Sequence, residues 1–138
     1  MAREWQQTKV RAYVLPDTVY YQTLWAVRDL ERMEERIVEL KEDIEVGLKG
    51  HNSFNETKVN YNYNYSKPTE DVALAKASLE ERTKAIKEAL SIVPDIYKQY
   101  VMNSVIYQIN PKRKYPDNIW KIWKQRFLYT VALNLNMI

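Results

Sequence analysis

The chain has 138 residues, 46% of them hydrophobic and 28% charged, with a net charge of +3, which is the length of one domain with enough apolar material for a core. It has no cysteine, which excludes disulfides, thiolate metal sites and a cysteine nucleophile, and one histidine, His51, in a polar stretch, which argues against a histidine metal cluster or a Ser-His-Asp triad. Only two glycines occur, so neither a glycine-rich phosphate loop nor a turn-rich β-sandwich is expected, and no cofactor or metal is implied.

Residues 1–16 read as an irregular arm closed by Pro16, with Asp17 placed to cap the first helix. The opening "MAREWQQTKVRAYV" lacks the apolar core of a secretory signal, and no apolar run reaches membrane-spanning length. The expectation is a cytoplasmic protein without membrane contact, in which the two glycosylation-like triplets at Asn55 and Asn64 are chance.

From Thr18 to about Val46 apolar residues recur at Tyr20, Leu24, Val27, Leu30, Met33, Ile37, Leu40 and Ile44. Steps of three and four predict one long amphipathic helix with a nearly heptad seam. The charges between them, such as Glu35, Glu39, Lys41 and Glu42, read as a solvated face. Residues 47–68, "GLKGHNSFNETKVNYNYNYSKP", hold both glycines and many asparagines and predict a long loop; the alternation "VNYNYNYS" leaves room for a short strand. Ser66 or Thr69 then caps a second helix, along which Val72, Ala75, Leu79, Arg82, Ile86, Ala89 and Val93 form a stripe broken only by Arg82. Two seams of matching length predict an antiparallel helical hairpin within one chain or a coiled coil between two.

Pro94 ends that helix, and Asp95 is placed to cap the next, "IYKQYVMNSVIYQI", with Ile96, Tyr100, Val101, Val105 and Ile109 inward. A basic turn, "NPKRKYPD", leads to a last helix from Asn118 to about Asn134. At 100° per residue, Ile119, Trp120, Trp123, Phe127 and Val131 share a core face, and Asn118, Lys121, Ile122, Gln125, Arg126 and Tyr129 lie opposite. The fold class predicted is therefore all-α: a long hairpin with its arm over residues 1–93, followed by a small basic helical unit over 94–138 packed on it.

Charge is unevenly spread. Residues 94–138 carry seven Lys/Arg against two Asp/Glu, a net +5, and residues 1–93 carry fourteen against sixteen, a net −2. A basic segment on an acidic body fits nucleic-acid binding, because lysine and arginine neutralise phosphates and release counterions. Asn and Gln can bond adenine edges, and Lys or Arg guanine, so the polar face of the last helix has the chemistry of a recognition helix.

The segments "YVLPDTVYYQTLWAVRDLERMEE", "IKEALSIVPDIYKQYVMNSVIY" and "WKQRFLYTVALNLNMI" resemble small proteins of phages and prophages in Gram-positive bacteria, similar to the RinA/ArpU-type regulators of phage late genes. The resemblance spans most of the chain apart from residues 47–68. It implies a C-terminal part similar to sigma-factor region 4, a helix-turn-helix that enters the major groove, in a bacterial host cell. Carried over, Asn118, Lys121, Ile122 and Gln125 would face bases, while Lys112, Arg113, Lys114, Lys124 and Arg126 would hold phosphates. One departure matters. Between Tyr107 and Asp117 only "QINPKRKYP" is available, too short for the first helix of the motif. Either Ile96–Tyr107 positions the last helix across a basic loop, or the motif is a degenerate relic.

The leading expectation is a DNA-binding transcriptional regulator whose hairpin serves dimerisation or contact with RNA polymerase. The alternative is a helical protein–protein adaptor of phage origin that binds no nucleic acid. An enzyme is not expected, since Glu34, Glu35, Glu80 and Glu81 lie among helix-surface charges and not in an apolar pocket.

Overall fold

A computed structural model describes residues 5–54, 62–109 and 117–138. It is all-α, and no strand occurs among the described residues. A 3-10 turn, Arg11–Tyr13, precedes five α-helices: α1 (Asp17–Arg28), α2 (Leu30–Phe54), α3 (Asn62–Leu90), α4 (Asp95–Tyr107) and α5 (Asp117–Asn134).

The first seam is present as its periodicity predicts. Tyr20, Leu24, Val27, Leu30, Met33 and Leu40 are buried, and Ile37 and Ile44 half-buried. The helix is interrupted once, at Asp29, whose ψ of 0° separates α1 from α2. The Asp29 N–H bonds Trp25 O at 3.0 Å and closes the last turn of α1. Neither Asp17 nor Asp95 is the cap expected of it. Pro16 and Pro94 occupy the cap positions with no side-chain bond, and the two aspartates stand in the first turns, where a carboxylate opposes the positive end of the helix dipole.

The predicted loop over 47–68 is a correction. Helix continues through Phe54 and resumes at Asn62, so of this stretch residues 55–61 lie outside the described residues, among them part of the strand-like alternation. The second seam keeps five of its seven predicted positions, with Val72 and Leu79 half-buried and Ile86, Ala89 and Val93 buried; at the other two, Ala75 and Arg82 are exposed, while Lys76 is half-buried and Thr83 buried. Thr83 can take the inward place because its hydroxyl donates to Glu80 O at 3.0 Å, so no donor is left unpaired.

The chain divides into two units, Met1–Leu30 with Lys84–Ile138, and Glu31–Thr83. That division differs from the expected boundary at residue 93. In the first unit, α5 packs on both α1 and α4, α1 packs on α4, and the 3-10 turn lies on α5. The core combines Leu24 and Val27, Ala85, Ile86, Ala89 and Val93, Val101 and Val105, and Phe127, Leu128, Val131 and Ala132. Each of the valine, leucine, isoleucine and phenylalanine side chains contributes about 1.5–3 kcal/mol by leaving water, and each alanine less. On α4 the inward residues are Val101, Ser104 and Val105; Ile96 and Ile109, expected inward, are exposed. The second unit holds the long arms of α2 and α3, with residues 55–61 between the two helices in sequence.

Two cross-links fix the helices of the first unit. Arg28 Nε donates to Val105 O at 2.7 Å, tying α1 to α4. Asn134 Nδ2 donates to Ala85 O at 3.1 Å, tying the end of α5 to α3. The chain then closes with a paired cap. Asn136 adopts a left-handed φ of 58°, Met137 N bonds Ala132 O at 2.9 Å, and Asn136 N bonds Leu133 O at 3.0 Å. The Thr23 hydroxyl lies 3.4 Å from Met137 Sδ, so this cap sits against α1.

Candidate nucleic-acid interface

Helix α5 forms readily, because "DNIWKIWKQRFLYTVALN" has no glycine or proline and carries an aspartate in its first turn. Its buried arc runs through Trp120, Phe127, Val131, Leu128, Ala132 and Gln125. That arc is centred about 85° from the one predicted, at 100° per residue. Ile119, expected in the core, is 38% exposed, and Trp123 is half-buried.

The displacement has a physical cause in the N-terminal arm. Gln125 is only 3% exposed, and its side-chain amide grips the arm backbone. Nε2 donates to Val10 O at 2.9 Å, and Val10 N–H donates to Oε1 at 3.5 Å. The arm is itself braced by Gln6, whose amide bonds Leu15 O at 2.8 Å and Leu15 N at 2.6 Å. Gln125 was expected to face bases. The structure corrects this: a side chain buried under the arm, with both amide atoms engaged, presents nothing to a groove.

The other expected residues divide. Asn118 is exposed, and Lys121 and Ile122 are half-buried. Lys121 Nζ lies 5.8 Å from the Trp120 ring centroid, near the outer limit for a cation–π contact. Lys124 is half-buried and donates to Ser104 Oγ at 3.0 Å, so it also ties α5 to α4. Arg126 is half-buried between two rings, its Cζ 5.1 Å from the Tyr13 centroid and 4.8 Å from that of Trp123. Lys112, Arg113 and Lys114 lie outside the described residues.

Tyr13 is the residue that sequence reasoning missed. Its ring meets Arg126 and also stands edge-on to Tyr129, with centroids 5.3 Å apart at 78°. It comes from the arm, more than a hundred residues away in sequence, so no local periodicity signals it. Composition gives no separate hint, since the arm also holds Trp5, Val10, Val14 and Leu15.

Before the basic segment, α4 ends at Tyr107 and is capped by Gln108, which adopts a left-handed φ of 57°, and Ile109 N–H donates to Asn103 O at 3.2 Å. α4 and α5 pack against each other. The order along the chain is thus helix, basic segment, helix, with both α4 and α1 packed on α5. No helix of the described residues is long and apolar enough to cross a membrane.

Fold and site together define a class no finer than a small all-α protein with a basic C-terminal helix clasped by its own N-terminal arm. No protein-family model, no curated protein and no solved structure matches the chain.

Proposed function

We propose that this chain is a DNA-binding regulator of transcription, of the phage type that its sequence resembles, acting in the bacterial cytoplasm. The observation that carries the reading is the segregation of charge: net +5 over residues 94–138 against −2 over the rest. That charge belongs to α5 and the segment leading into it. Lys112, Arg113, Lys114, Lys121 and Arg126 hold backbone phosphates in this reading, and Asn118 and Ile122 alone remain for base edges. Recognition then rests mainly on phosphate contacts, which position without reading sequence. The unit Glu31–Thr83 serves self-association or contact with RNA polymerase; the exposed Val38, Val46 and Leu74 support such a role.

The test is binding of a labelled mixed-sequence duplex beside a variant with Lys112, Arg113, Lys114 and Lys121 changed to Glu. Salt-sensitive binding that the variant loses supports the proposal. Equal retention by both proteins, or by neither, sinks it.

A second reading has its own observation. The open side of α5 carries Ile119 and Leu133, 38% and 46% exposed, which suits a protein partner better than a groove. A helical adaptor would tolerate the charge reversal and lose its partner when Leu133 becomes Asp.

A further inference from the structure

We propose that Arg126 is an anion site built jointly by α5 and the N-terminal arm, with Tyr13 as its positioning residue and a DNA backbone phosphate as its ligand. The inference rests on the DNA-binding reading above and goes beyond it by naming how the arm takes part.

Four observations converge. The guanidinium is held between two aromatic faces, Tyr13 at 5.1 Å and Trp123 at 4.8 Å. The Tyr13 ring is also met by Tyr129, in an edge contact with centroids 5.3 Å apart, and the arm that carries it is pinned three residues earlier, at Val10, by the buried amide of Gln125. Arg126 Nε is buried and has no hydrogen-bond partner. No carboxylate among the described residues pairs with Arg126, whereas Arg36, Lys76, Lys84 and Lys98 each lie against a carboxylate of their own helix.

The physical consequence stems from arginine chemistry. A guanidinium cannot shed its charge in a protein, and partial burial strips it of water. Stacking on rings offsets part of that loss and fixes the plane of the group, yet supplies no hydrogen-bond acceptor. A cation so held is pre-organised for an oxyanion that can take two parallel N–H bonds, and phosphate is that ligand on DNA. The arm is thereby part of the binding surface, and Tyr13 acts through Arg126 without touching the nucleic acid itself.

The experiment uses the full chain and a labelled mixed-sequence duplex, with affinity followed against salt. Arg126→Gln is expected to weaken binding roughly five- to tenfold near 0.1 M salt and to lower the salt slope by about 0.9, the signature of one phosphate left unneutralised. Tyr13→Ala and Tyr13→Leu, the latter keeping bulk without a π face, are expected to weaken binding about threefold or more, while Tyr13→Phe restores it. In the Arg126→Gln background, Tyr13→Leu is expected to add nothing. An unchanged salt slope in Arg126→Gln, or an equal loss from Tyr13→Leu in both backgrounds, overturns the site while leaving DNA binding intact. Failure of the unmodified protein to bind at low salt refutes the DNA reading itself, and the site with it.

Discussion

Replacing Gln125 tests how the arm is held. The side chain is 3% exposed and makes two bonds to Val10, one at 2.9 Å and a longer one at 3.5 Å. A neutral intramolecular hydrogen bond contributes about 1 kcal/mol net, and the longer one less. Truncation to Ala also removes one buried methylene, about 0.8 kcal/mol. Gln125→Ala is therefore expected to cost about 2 kcal/mol, a fall in Tm of roughly 6 °C for a chain of this size. Gln125→Glu is nearly isosteric yet should cost more at neutral pH, because a carboxylate cannot donate to Val10 O and its charge is buried. The sign of its pH dependence is fixed by that burial. The introduced carboxyl has a folded-state pKa raised above its unfolded value of about 4.3, so the folded state holds its proton more tightly. The deficit is greatest above the folded pKa and shrinks as pH falls through it. Thermal unfolding at two pH values, with hydrogen exchange at the Val10 amide, measures both effects. If Gln125→Ala melted with the unmodified protein and left Val10 exchange unchanged, the amide clasp would not be what holds the arm.

Further expectations concern the body of the first unit. Phe127 is fully buried, so Phe127→Ala should cost about 3–5 kcal/mol in denaturant unfolding; a loss under about 1 kcal/mol would contradict its place in the core. Arg28→Met keeps the aliphatic stem but removes the 2.7 Å bond to Val105 O, and should cost about 2 kcal/mol by the same measurement. A neutral result would mean that α1 and α4 are held by apolar packing alone. The hydrogen bond and charge of Lys98, 2.8 Å away, hold the Asp95 carboxyl below the ordinary aspartate range. Its stabilising contribution is present above the unfolded pKa and is lost as pH falls through the folded one. Carboxyl NMR titration should find Asp95 low, and Lys98→Ala should raise it.

What the sequence revealed depended on how local the cause of burial was. The α1–α2 seam was legible apart from the break at Asp29, because eight apolar residues at helical spacing are buried or half-buried along it and little competes with them. The second stripe was legible at five of its seven positions; Arg82 turns out and Thr83 sits inward, since a threonine can satisfy its own hydroxyl. Residues 47–68 looked like a loop by glycine and asparagine content, yet helix covers most of them; the composition lowers helix propensity by only a fraction of a kcal/mol per residue apart from glycine and proline. The face of α5 was the costliest error. Its aromatic residues drew the predicted core toward Ile119 and Trp123, whereas the arm adds a second wall over Gln125, and Leu128 and Ala132 are buried as well. A polar residue buried by a segment more than a hundred positions away leaves no periodic trace. For the same reason Lys121 and Arg126 could be named as cations, but the rings around Arg126 could not.

The central claim is that the basic helix and its approach lie on DNA. Titrating the isotopically labelled full chain with a mixed-sequence duplex at low salt, and monitoring backbone amides and arginine Nε–H signals, tests it most directly. The account predicts perturbations gathered over residues 109–126, Tyr13 and the Arg126 Nε–H, fading as salt rises, with α2 and α3 unaffected. Perturbations confined to α2 and α3, or none at all, would contradict it.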